Sequence, residues 1–240
     1  MTVGQVIGPL VGAIAAARMG IRASFVLGGG ILLGCAALVH WAVPSPPGAE
    51  EARAAVRPVH PREVVAVTLI VLGASTQVFF FTAILPYILP VLGVDEAQTL
   101  EVGGMLIFVS GVAAALGALA VPRLGALFAE RRLIGALLVA SSACLATFAL
   151  AGSAELYGGL RFLQMLAIAP VFPFVVARVA QQAGGAAIGI INSARIGAGF
   201  VGPVVATTLL AWSSPDLVYV LLAAIGLACV PLVRMTGARP

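Results

Sequence analysis

Eight long apolar runs follow one another along this chain, at roughly 3–18, 22–43, 64–90, 102–121, 133–152, 156–180, 186–211 and 217–234. A helix needs about 20 apolar residues to cross the hydrocarbon core of a bilayer. Lipid offers no hydrogen bonds, so each run must close its own backbone pairs. Transmembrane strands would show stretches of about ten residues of alternating polarity. Runs such as Leu133 to Leu150 do not alternate. Composition agrees: 61% of the residues are hydrophobic and 9% are charged, whereas a soluble domain is about a quarter charged. There is too little charge to cover a wetted surface. The expected fold class is all-α membrane, with eight transmembrane helices.

One connector interrupts the runs. Residues 44–62 carry Pro44, Pro46, Pro47, Pro58 and Pro61 with Glu50, Glu51 and three arginines. Such a segment does not span lipid and reads as a solvated linker. It divides the chain into 1–43, the linker 44–62, and 63–240. The first run lacks a basic leader and a small-residue cleavage site, so it reads as a span rather than a signal peptide. All 13 basic residues are arginines. With the linker on one side, that side collects Arg53, Arg57, Arg62, Arg123, Arg131, Arg132, Arg178, Arg234 and Arg239, while the other holds Arg18 and Arg22. Cytoplasmic loops are the arginine-rich ones. The expectation is a multi-pass protein of the plasma (inner) membrane with both termini cytoplasmic.

Catalytic patterns are absent from the sequence. No serine has a His/Asp context, and no phosphate-binding G-x-x-x-x-G-K-[ST] occurs. Cys35, Cys144 and Cys229 each sit inside an apolar run and form no metal-ligand spacing. An enzyme, a metal site, a cofactor and a nucleic-acid partner are therefore not expected. The lipid bilayer is the partner that the composition implies.

The sequence also repeats itself. Gly8-Pro9 recurs as Gly202-Pro203, and holding that register from Gly8 to Val39 gives 11 identities in 32 positions. The plain alternative is apolar low complexity, but the shared Gly-Pro pair and span boundaries weigh against it. The repeat matches spans one and two with spans seven and eight, so the repeating unit is six spans long. Two such units make twelve helices, of which this chain carries the last eight.

Twelve helices in two parallel halves is the architecture of the major facilitator superfamily. Gly4-Gln5-Val6-Ile7-Gly8-Pro9-Leu10-Val11-Gly12 resembles the G-x-x-x-G-P-x-x-G signature in the fifth helix of drug:proton antiporters of that superfamily. Leu160-Arg161-Phe162-Leu163-Gln164 is similar to the L-R-x-x-Q pattern of the fourth helix, here in the equivalent tenth. Pro122 to Arg132 resembles the loop between helices eight and nine but lacks its aspartate, and Asn192 to Pro203 resembles the eleventh helix of multidrug efflux members. The resemblance implies a secondary transporter that exports drugs or small amphipathic molecules against protons by alternating access. The alternatives are a metabolite or sugar transporter of the same superfamily and a non-transporting remnant or helper subunit. The family tends to carry its proton-binding carboxylate in early helices. With part of the N-terminal half missing, the 240-residue chain is expected to insert but not to catalyse coupled transport alone.

Certain residues invite function directly. Gly4, Gly8 and Gly12 recur every four positions and share a helical face. Such a ridge permits close helix approach, and Pro9 bends the helix beside it. The functional reading is a gating contact; the plain one is ordinary packing. Its copy contains Gly202 and Pro203, with Ala198 and Ala206 outside, and is expected to pack less tightly. Arg195 lies near mid-membrane with Asn192 one turn earlier, and such an arginine is expected to face a partner or a water-filled path. Arg161, with Gln164 on the same face, is shallow enough to snorkel; the family resemblance implies instead a role near the central cavity. Gln77, beside Ser75 and Thr76 and ahead of Phe79, Phe80 and Phe81, completes the substrate-path candidates. Pro170 and Pro173 are expected to bend span six and free carbonyls.

Overall fold

The computed structural model describes residues 12, 19–42, 61–180 and 185–235. Among them every regular element is helical. The elements are α1 (Ile21–Ala42), α2 (Pro61–Val91), α3 (Thr99–Leu127), α4 (Glu130–Ala146), α5 (Ala154–Ile168), α6 (Val171–Ala180), α7 (Gly185–Trp212) and α8 (Pro215–Met235), with short 3-10 turns at Glu96–Gln98 and Thr147–Leu150. Seven helical stretches are long and apolar enough to cross a membrane. They coincide with seven of the eight expected spans; α5 and α6 together make one of them, Ala154–Val179. The protein is thus a multi-pass membrane protein in type. Apart from Gly12, the first expected span lies outside the described residues, Gly4, Gly8 and Pro9 included, as does the linker proline cluster at 44–58.

α1 is apolar and exposed all round, with Phe25 77%, Leu32 72% and Trp41 89% exposed. A helix apolar on every side belongs in lipid or in a protein core. The other spans form a bundle. α2 runs through it, packing along α7 and α8; α3 packs on α5, and α4 packs on α8 and α5. Helix direction alternates, so the starts of α2 and α4 meet the end of α6. There Arg178 lies between Glu63 at 3.7 Å and Glu130 at 3.8 Å, ion-pair separations that exceed hydrogen-bond length.

Lipid is as apolar as leucine, so these helices gain little from hydrophobic burial and must associate through close packing and hydrogen bonds. Small residues supply the first. A methyl group placed on Gly202 would lie 3.1 Å from Phe80 N and 3.2 Å from Thr76 O, so α7 rests on the backbone of α2 at this point. Gly202-Pro203 thus makes a close backbone contact within residues 63–240. Gly202→Leu is expected to lower unfolding free energy by about 1–3 kcal/mol, because the obstacle is backbone and cannot swing away. Gly197, with nothing within 4 Å, is the control position. Equal thermal stability of Gly202→Leu and Gly197→Leu in detergent would contradict this.

The break between α5 and α6 has a comparable origin. Pro170 has no N–H for the carbonyl of Leu166. That carbonyl sits against Gly117 of α3, where an added methyl would be 2.8 Å away. The bend expected from Pro170 is present as this break.

The interior is layered. One apolar cluster holds Val67, Ile70 and Ala74 of α2 with Ala113, Leu138, Ile168 and Val233. The other, towards the opposite end, holds Phe80, Phe81, Ile84, Leu145, Tyr157 and Leu222. On α2, α3, α4, α5 and α8 the buried residues between the two clusters are polar or small, among them Gln77, Ser110, Ser141, Ser142, Arg161, Gln164 and Gly226.

Candidate functional site

This middle layer is the first part of the site. Arg161 is 2% exposed, so it does not snorkel to the surface. Its side chain turns inward and donates repeatedly. Nε reaches Ser110 Oγ at 3.4 Å, and Nη1 reaches Gln164 Oε1 at 2.6 Å and the Gln77 carbonyl at 3.1 Å. Nη2 reaches the Val78 carbonyl at 2.8 Å. The guanidinium also lies 4.2 Å from the Phe81 ring centroid. A buried charge needs such saturation, because lipid and apolar side chains return nothing for its lost hydration.

Gln77 and Gln164 extend the network through α4. Ser141 Oγ donates to Gln77 Oε1 at 2.7 Å and accepts from Gln164 Nε2 at 3.0 Å. Gln77 Nε2 donates to the Leu222 carbonyl at 2.8 Å and to Ser142 Oγ at 3.2 Å. Gly226 of α8 makes room: a methyl there would collide with Gln77 Nε2 and Ser142 Oγ. Beside this layer Tyr157 and Tyr219 share a hydrogen bond at 3.0 Å within a cluster of Phe81 and Phe148 rings.

The second part is a niche of about 50 Å³ against the polar layer. That is room for one or two waters, whose share of liquid volume is about 30 Å³ each. It is lined by Ser75, Val78 and Phe79 of α2, by α3, by Phe172 and Pro173 of α6, and by Arg195 of α7. Arg195 is half-buried, its guanidinium 4.5 Å from the Phe172 centroid. Val78 joins the two parts: its carbonyl takes Arg161 and its side faces the niche. Asn192 is exposed on α7 one turn from Arg195.

The structure therefore brings Arg161, Gln164 and Gln77 together, sets Arg195 in a neighbouring niche, and leaves Asn192 on open surface. Gly202 and Pro203 belong to the α2–α7 contact. A methyl group placed on Gly12 would meet nothing within 4 Å among the described residues. Of the three phenylalanines, Phe80 and Phe81 are core and Phe79 faces the niche. Sequence reasoning missed Ser110, Ser141, Ser142, Phe172 and Gly226. The serine pair in mid-span was a usable signal; nothing marked Gly226 among 28 glycines. Compared with known proteins, the chain matches no protein-family model, and no curated protein matches it significantly in sequence.

Proposed function

We propose that this chain is the larger part of a secondary transporter of the major facilitator type. It moves small amphipathic molecules across the plasma membrane by alternating access, coupled to protons. The observation that carries this reading is the niche: α2, α3, α6 and α7 converge at mid-span on a half-buried arginine. An ionisable side chain inside a span is costly, and its usual use is a substrate or ion path. Broken helices that line a cavity are a further property of transporters. The α5–α6 break at Pro170 supplies one beside Phe172. In this reading Arg195 contacts substrate, the Arg161 layer holds the wall rigid behind it, and the proton carboxylate belongs to helices outside this chain. The sequence repeat supports the twelve-helix arrangement.

The test uses inverted vesicles bearing either this chain or a version extended upstream by four helices. Proton-driven movement of amphipathic dyes of both charges is followed. The extended protein is expected to transport and the 240-residue chain to insert without coupled transport. In the extended protein, Arg195→Ala is expected to reduce flux by about tenfold or more, the scale of one lost charge-assisted contact, at unchanged expression. Flux by neither protein would remove the transport reading and leave a non-transporting membrane protein. Equal flux by both would make the eight spans sufficient.

A further inference from the structure

We propose that the niche at Arg195 selects organic anions: it takes the carboxylate of an amphipathic carboxylic acid and sets the apolar body against Phe172 and Phe79. The inference rests on the substrate-path reading of Arg195 and narrows it to one charge class.

The distribution of charge carries it. Arg195 and Arg161 are the two cations within the span interiors of this bundle. The described carboxylates all lie at helix ends or in loops: Glu63, Asp95, Glu96, Glu101, Glu130, Glu155 and Asp216. Glu63 and Glu130 already face Arg178. The middle of the bundle is therefore net positive. In a medium of low dielectric such a field acts strongly on any charged visitor. A cation entering the niche would meet the guanidinium of Arg195; an anion would be drawn to it.

The two arginines differ in what they have left to give. Arg161 is committed, donating to Ser110, Gln164 and the carbonyls of Gln77 and Val78. Arg195, among the described residues, has no hydrogen bond and no ion pair, only the face of Phe172. Its five N–H donors form a planar fork that matches a carboxylate in two-pronged fashion. The ring holds the guanidinium in place without consuming those in-plane donors. The size of the niche suits a head group and no more, so the rest of the ligand must extend along the open side. Phe79 and Phe172 make the adjoining surface apolar, as an aromatic or aliphatic acid requires.

All these residues lie in the 240-residue chain, so equilibrium binding tests the proposal without transport. The purified chain, in nanodiscs of zwitterionic phosphatidylcholine, is titrated with radiolabelled benzoate. Benzylammonium and benzyl alcohol, of similar shape, are the cationic and neutral competitors. Benzoate is expected to bind and to be displaced by neither competitor at equal concentration. Arg195→Gln should weaken binding by about tenfold or more, and Arg195→Lys should keep part of it. Phe172→Leu should weaken it less. Thermal stability measured on the same samples identifies any variant that has merely unfolded. Preferential binding of benzylammonium, or benzoate affinity unchanged in a folded Arg195→Gln, overturns the proposal. So does an inserted, folded chain that binds no benzoate, as it would if one of its own carboxylates occupied the niche. The flux measurement separates the two readings: transport of cationic dyes alone removes anion selectivity and leaves the transporter, whereas no flux of either charge removes the transporter.

Discussion

Arg161→Ala is expected to destabilise the bundle severely, whereas Arg161→Met is expected to leave it as stable as the parent or more so. Alanine opens a cavity in the polar layer and orphans Gln164 Oε1, which now accepts from Nη1 at 2.6 Å. A large truncation with an unmet acceptor lowers unfolding free energy by about 3 kcal/mol. Methionine fills most of the space. It also removes a charge whose placement in a span centre costs about 2.5–3.5 kcal/mol on the insertion scale. Replacing a buried charge by an apolar side chain of similar volume is often neutral or stabilising. The pair of variants thus asks whether the charge serves stability or function. Both are measured by denaturant titration in mixed micelles and by dye flux. Loss of flux in a stable Arg161→Met protein assigns the charge to function. A methionine variant as unstable as the alanine one would show that the guanidinium is needed to hold α2, α3 and α5 together.

Gly226→Ala carries the second large effect, and its sign is opposite to the usual one. Inside a helix, replacing glycine by alanine ordinarily gains about 1 kcal/mol from backbone entropy. Here the new methyl would occupy the place of the Gln77 amide and the Ser142 hydroxyl. Either α8 moves away from α4 or Gln77 leaves its site and surrenders its bonds to Ser141, Ser142 and the Leu222 carbonyl. Overpacking of a filled interior costs about 1–3 kcal/mol, and a buried amide without partners costs about as much again. The expected loss is about 2–4 kcal/mol. Gln77→Ala should relieve the collision, so the double variant should be more stable than the two single losses predict by at least about 1 kcal/mol. Strict additivity would mean that Gly226 and Gln77 do not compete for the same space.

The sequence by itself determined that this is a helical membrane protein and where its spans lie. Seven stretches from Arg22 to Met235 fall where hydropathy placed them. Membrane insertion depends on the summed transfer free energy of a segment, which is a property of local composition. Pro170 was likewise readable as a weak point, since it lacks the N–H that would pair with the carbonyl of Leu166; that the helix breaks there, while Pro86, Pro90, Pro122, Pro203 and Pro231 lie inside continuous helices, was not. The polar candidates were readable as residue types, because a mid-span arginine or glutamine stands out against leucine and valine.

Only the tertiary structure decided which way each of them turns. Arg161 was compatible with snorkelling on depth alone; its burial follows from the rotation of α5 against α2 and α3. That rotation is not written in periodicity, because helices apolar on every side present no stripe to mark the inward face. The meeting of Gln77 with Ser141, Ser142 and Gly226 joins positions 64 and more residues apart. It exists because α2, α4 and α8 pack closely enough for hydrogen bonds and small residues to replace the hydrophobic force that lipid withholds. Arg195 shows the same division: its depth is a matter of sequence, and the aromatic ring that leaves its donors unused is a matter of how α6 lies against α7.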